Sequence, residues 1–195
     1  MRQAKTDRRS LRTRQLLMQA MVELMGSKRY DMITVQKIAE QANVGRSTFY
    51  AHFADKDDLL VDGVRQMLVG LDTAAPEPTG RGARLYPTLA LFRHVGSQAD
   101  MYRTMARGRA LPLFLTALQD ELTAVLTDRL AARTAPGDPP AVPLPLLAAM
   151  IASMLITAIR TWIEDGTPDP AEVIDRMFHT VAGPAIRAGL RPGSG

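Results

Sequence analysis

"TVQKIAEQANVGRSTFYAHF", residues 34–53, places two short segments of helical apolar spacing on either side of a three-residue break. In the first, Val35, Ile38, Ala39 and Ala42 recur on one face. Thr34 stands just ahead of them, where its hydroxyl can accept from the unpaired N–H groups of a first turn. Asn43 to Gly45 form the break, and a second helix follows from Arg46 to about His52, with Phe49 and Phe53 four apart on its inner side. Ala39 is small enough for the second helix to cross closely, and Val44 fills the corner. Helix, tight turn with glycine, helix is the layout of a DNA-binding helix-turn-helix.

The outward face of the second helix supports that reading. Opposite Phe49 it is centred on Ser47 and Ala51, with Thr48 and His52 on one side and Tyr50 and Arg46 on the other. It is short, polar and almost free of acid, which suits a major groove about 12 Å wide. Arg46 can reach guanine acceptors and Ser47 a base edge, while Thr48, Tyr50 and His52 can donate to phosphates. Lys56 adds charge on the same side. Taken singly, Tyr50 or His52 reads more readily as an amphipathic surface residue than as a functional one; the arrangement carries the signal.

Working outward, apolar spacing is helical almost everywhere and no segment alternates like a strand, so the chain is expected to be all-α. A first helix from about Arg8 to Met25 should turn Leu11, Leu17, Met18, Met21, Val22 and Met25 inward, with Gly26 at its stop. Asp55 should cap a long helix, 56–72, whose Asp57 and Asp58 suit the helix dipole. Pro- and Gly-rich loops are expected at 73–84 and 134–143. Helices are expected at 85–95, 98–107, 112–133 and 144–164. The last helix should start with Asp169 as cap, Pro170 at the first position and Glu172 completing a capping box, and should end or kink at Gly183-Pro184.

The net charge of +4 sits at one end. Residues 1–60 hold eleven Lys/Arg against seven Asp/Glu, and the remainder hold thirteen of each. Residues 1–14 alone carry Arg2, Lys5, Arg8, Arg9, Arg12 and Arg14 against Asp7. A positive end on a neutral body fits a polyanion binder, although charge alone fits a solvated basic tail as well. The absence of cysteine excludes disulfides, thiolate metal sites and a thiol nucleophile. The N-terminus lacks the apolar core of a secretory signal, so a cytoplasmic location is expected. Residues 139–159 contain no charge, which raises a membrane span. Four prolines at the front and the Ala, Ser, Thr and Met content favour a helix buried in the protein or at a subunit interface. The three histidines are far apart and no catalytic signature is present, so an enzyme is disfavoured.

"ITVQKIAEQANVGRSTFYAHFADKDDLL" (33–60) resembles the N-terminal signature of TetR-type transcriptional regulators. The resemblance implies a three-helix DNA-binding domain with a basic arm at 1–58 and a larger helical ligand-binding and dimerisation domain at 59–195. It implies base or near-base contacts from Gln36, Arg46 and Ser47, and phosphate contacts from Thr34, Lys37, Thr48, Tyr50, His52 and Lys56. Gly45 departs from the serine or other polar residue of many relatives. The implied partners are a palindromic double-stranded operator, a second copy of the chain and a small-molecule effector, with no cofactor or metal and no membrane. Pairing of the last two long helices across a two-fold axis would use Ala148, Ala152, Leu155 and Ile159 with Ile174, Phe178, Val181 and Ala185. An effector pocket would draw on Met67, Phe92, Met101, Tyr102, Met105, Phe114, Met150 and Met154, although residues of these types at helical spacing are more often ordinary core. Arg93, His94, Arg103 and Arg107 could meet an anionic ligand or simply lie on the surface.

Overall fold

A computed structural model describes residues 2–74, 85–134 and 139–191. In chain order these form α1 (Arg2–Ser27), a 3₁₀ turn (Tyr30–Met32), α2 (Val35–Gln41), α3 (Arg46–Tyr50), α4 (Lys56–Ala74) and α5 (Thr88–Ser97). They continue with α6 (Ala99–Ala106), α7 (Ala110–Ala131), α8 (Leu144–Glu164) and α9 (Ala171–Gly189). The fold is all-α, as its apolar spacing requires. Of the two Pro-rich loops expected at 73–84 and 134–143, residues 75–84 and 135–138 lie outside the described residues.

The chain divides into two compact units, Met1–Gln66 with Asp100–Phe114, and Met67–Ala99 with Leu115–Gly195. The first unit thus runs past the 58/59 division drawn from the motif and takes in a later stretch of chain. Its core is one stripe of α1 (Leu17, Ala20, Met21, Leu24 and Met25) with Ile38 and Ala39 of α2, Phe49 of α3, Phe53, and Leu59, Leu60 and Val64 of α4. Leu11 and Val22, expected to face inward, are exposed. At 100° per residue they lie roughly 120° and 140° around the helix from Leu17, off the buried stripe.

Side-chain caps hold the entries of α2 and α4. Thr34 Oγ1 accepts from Lys37 N at 3.2 Å. Asp55 Oδ1 accepts from the backbone N–H groups of Asp57 and Asp58 at 2.8 and 2.9 Å, and Asp58 Oδ2 reaches back to Ala54 N at 3.0 Å. Each such cap contributes about 1 kcal/mol.

In the second unit α9 packs on α5 and α8. α8 is long and apolar enough to cross a bilayer, yet half of its apolar window is buried inside the protein. Ile151, Leu155, Ile156, Ile159 and Ile163 are at most 3% exposed, each burial contributing roughly 1.5–3 kcal/mol over exposure. Trp162 donates from its indole N–H to Asp169 O at 3.1 Å and meets the Phe92 ring edge-on at 5.9 Å.

α9 differs from expectation at both ends. Pro170 occupies the N-cap position without a side-chain cap, and α9 begins at Ala171. Asp169 serves through its carbonyl, which receives the tryptophan N–H, and not as the cap. The helix also passes through Pro184 to Gly189. Proline removes the donor for the Thr180 carbonyl, but Thr180 and Pro184 are both exposed, so water can supply it.

Candidate nucleic-acid interface

The site begins with a backbone turn. Ala42 N donates to Ile38 O at 2.9 Å, Asn43 adopts φ 53°, and Val44 N closes back on Ala39 O at 2.9 Å. The left-handed residue is therefore Asn43, whose short amide side chain suits that conformation. Gly45 has φ −73° and ψ 151°, open to any residue, and caps α3 without a side chain. A Cβ there would meet nothing nearer than Ser47 Oγ at 3.6 Å. Glycine is not what makes this turn possible.

Beneath α3, Phe49 and Phe53 are buried with ring centroids 5.9 Å apart. Above it Arg46, Ser47, Tyr50 and Ala51 are exposed, while Thr48 and His52 are half-buried. The Arg46 guanidinium carbon lies 6.0 Å from the Tyr50 ring centroid, so the two side chains lean together on the outward face. Gln36 is exposed on α2, and its amide donates to Glu40 at 2.9 Å.

Both lysines of the expected contact set are engaged with the 3₁₀ turn. Lys37 Nζ donates to Met32 O at 2.8 Å. Lys56 Nζ donates to Tyr30 O and Ile33 O at 2.8 and 2.9 Å, 4.3 Å from the Tyr30 ring centroid. Burial lowers the Lys56 pKa, opposed by the charges of Asp57 and Asp31. An ammonium has three donors, so these bonds tether each head without exhausting it. Farther back, Arg14 pairs with Asp62 at 2.6 Å and lies 5.0 Å from the Phe53 ring centroid, so it braces the unit and is no part of a loose arm. The side chains of Arg2, Lys5 and Arg8 in the basic arm lie outside the described residues.

The eight residues suggested for an effector pocket divide between the two units. Met101, Tyr102, Met105 and Phe114 belong to the first unit, and Met67, Phe92, Met150 and Met154 to the second. The Tyr102 and Phe114 rings meet at a tilt in the first unit's core, centroids 5.0 Å apart, whereas Met150 is 53% exposed. The second unit holds a cavity of about 20 Å³, bounded by Leu126, Ile151, Leu155 and Phe178 on its apolar side and by Thr88 and His179 on its polar side. That is room for about one water.

Behind it lies a cluster that sequence reading missed. Thr88 Oγ1 donates to the buried Asp175 carboxylate at 2.6 Å and sits 2.8 Å from His179 Nε2. The hydroxyl has one proton and spends it on Asp175, so Nε2 must be the donor to Thr88. Thr88 lies 87 residues from Asp175 and 91 from His179, a separation that no local pattern signals.

The small-residue face expected to meet a second subunit is turned inward. Ala148, Ala152, Leu155 and Ile159 are at most 1% exposed within a single chain, and Phe178 is also buried. Ile174 and Ala185 are half-buried. Only Val181 of that set is open, and it is joined by Leu146 and Met150 on α8 and Met177 on α9, all more than half exposed. Each helix thus shows an apolar i, i+4 pair outward, a spacing visible in the sequence but overshadowed by the alanines.

Two family models match the chain. "Bacterial regulatory proteins, tetR family" covers residues 17–62, and "Transcriptional regulator C-terminal region" covers 87–183. The chain is 25% identical over 181 residues to an uncharacterized HTH-type transcriptional regulator, YxbF, of Bacillus subtilis (strain 168), covering 88% of this chain and 45% of that protein. It therefore spans just under half the length of that relative. It is 26% identical over 171 residues to the HTH-type transcriptional repressor KstR of Rhodococcus jostii (strain RHA1), covering 86% and 80%. A TetR transcriptional regulator from Streptococcus agalactiae 2603V shares the fold with a TM-score of 0.59 at 24% identity, over 92% of this chain and 98% of that one.

Proposed function

The chain belongs to the tetR family of bacterial regulatory proteins, and on that premise we propose that it regulates transcription as a homodimer gripping a palindromic DNA operator, which a small-molecule effector makes it release. The observation that carries this reading is α3, where Phe49 and, just past its end, Phe53 are buried while Arg46, Ser47 and Tyr50 stand exposed behind a capped α2. Arg46, Ser47 and Gln36 read base edges; Thr34, Thr48, Tyr50, His52 and the tethered Lys37 and Lys56 hold phosphates. A dimer presents two such faces to half-sites about one DNA turn apart. Its interface uses the outward apolar pairs of α8 and α9, not the buried alanines. The protein works in the cytoplasm, without catalysis or a cofactor.

The effector acts through the second unit. Ligand pockets usually measure about 300–1,000 Å³, so the small cavity has to open for a molecule to enter. Whatever enters can shift the protein only by its difference in affinity for the two states. Selecting bound fragments from the source genome tests the reading directly. Enrichment of a short inverted repeat is the expected outcome, and recovery of no preferred sequence rejects it.

A further inference from the structure

The first unit contains a stretch that the helix-turn-helix motif does not, Asp100–Phe114. Within it, the turn between α6 and α7, "RGR" at 107–109, meets Asp57 in the first turn of α4 and Asp31 in the 3₁₀ turn. Arg109 Nη2 donates to Asp57 Oδ2, forming a close ion pair. The other oxygen of Asp57 accepts from the buried Tyr30 hydroxyl at 2.6 Å. The Tyr30 carbonyl in turn receives Lys56 Nζ, which also holds Ile33 O, one residue before the Thr34 cap. Gly108 sits so near the same turn that a Cβ on it would come within 3.3 Å of Asp31 Oδ2.

We infer that Arg109 is a positioning residue for DNA recognition, holding the 3₁₀ turn and the start of α2 in register through Asp57, Tyr30 and Lys56 without touching DNA itself. The inference rests on the DNA-binding reading above. Asp57 is the junction. It neighbours Asp55 and Asp58, and the partner that fixes its outer oxygen comes from more than 40 residues later in the chain. Without the guanidinium, the carboxylate can rotate from the tyrosine hydroxyl, and the carbonyls that Lys56 grips lose their fixed spacing. Thr34, Gln36 and Lys37 follow directly on that segment, so their reach toward DNA depends on it. Hydrogen bonds that share a member act as a network, so removing an outer member is felt along the chain.

The experiment uses the full chain and two duplexes, one enriched by the wild-type protein from genomic fragments and one of random sequence. Affinities are measured by fluorescence anisotropy for wild type, Arg109→Ala, Arg109→Lys, Asp57→Asn and the double variant Asp57→Asn with Arg109→Ala. Arg109→Ala should weaken the enriched duplex about fivefold, a step of about 1 kcal/mol, the upper range for a partly exposed ion pair. Affinity for the random duplex should fall by less, about twofold, since Thr34 and Lys37 hold phosphates on any sequence and only the enriched duplex also loses the Gln36 base contact. Arg109→Lys should recover part of the loss, and the double variant should lose less than the product of the two single losses. Equal weakening on both duplexes, or wild-type affinity of Arg109→Ala for the enriched one, overturns the inference. A wild type that enriches no duplex overturns the DNA-binding reading itself, and the inference with it.

Discussion

At the scale of the residue, the outward side of α3 sorts into groups with different consequences. Tyr50 can offer its hydroxyl to a phosphate, so Tyr50→Phe should weaken binding by a similar factor on every duplex, and a gel-shift series across sequences will show it. In the proposed reading Arg46 meets a base edge, so Arg46→Ala should change which sequence is preferred, by about 1–3 kcal/mol at one position of the site. Neither change should move the melting temperature, because both side chains are exposed. Gly45 offers a third test. Its backbone suits any residue and the N-cap of α3 has no side-chain acceptor, so Gly45→Ser should raise stability by a few tenths of a kcal/mol in thermal unfolding. The sequence announced Thr34, Phe49 and Phe53 because caps and four-residue spacing are local facts. It left open which residue of the turn is left-handed, since both asparagine and glycine can occupy that position, and the structure gives it to Asn43.

At the scale of the element, close packing fixes what each helix tolerates. Gly96 lies in α5 where a Cβ would stand 3.0 Å from the Trp162 ring. Gly→Ala inside a helix is ordinarily favourable by roughly 0.5–1 kcal/mol. Here the indole is held by Asp169 O and by Phe92 and has little room to give, so Gly96→Ala should destabilise by about 1 kcal/mol net. A fall in melting temperature of about 2–4 °C is the expected reading. In the same helix, burial lowers the pKa of His94 below its ordinary 6.5. The unfolded chain then binds the proton first as pH falls, so the His94 contribution is intact above about pH 6.5 and is lost on the acid side. Unfolding measured between pH 7.5 and 5 should show a shallower acid loss in His94→Gln than in wild type. The helices themselves were legible from apolar period, whereas the fate of Asp169 and the passage of α9 through Pro184 were not. Each was settled by a neighbour or by solvent exposure that a linear pattern does not record.

At the scale of the molecule, the sequence displayed the DNA-reading segment well because its chemistry lies within 23 consecutive residues, Thr34 to Lys56. The second unit was harder to read, since α8 carries apolar residues on nearly every side and only the folded chain shows which side is used. That choice directs the dimer prediction. Val181→Glu places a charge at a site 64% exposed in one chain, so the protomer should fold with nearly unchanged helical content. Sedimentation at micromolar concentration should then show monomer where wild type shows dimer, and operator affinity should drop because each half-site is held singly. The membership of Asp100–Phe114 in the first unit reaches beyond recognition, to how the chain is born. On the ribosome, Tyr30 and Asp57 emerge well before Arg109. At about 5–20 residues per second the earlier part waits several seconds for the arginine that completes it. During that interval the nascent helix-turn-helix unit lacks the Arg109–Asp57 ion pair, and a polypeptide still in synthesis should compete less well for the enriched duplex.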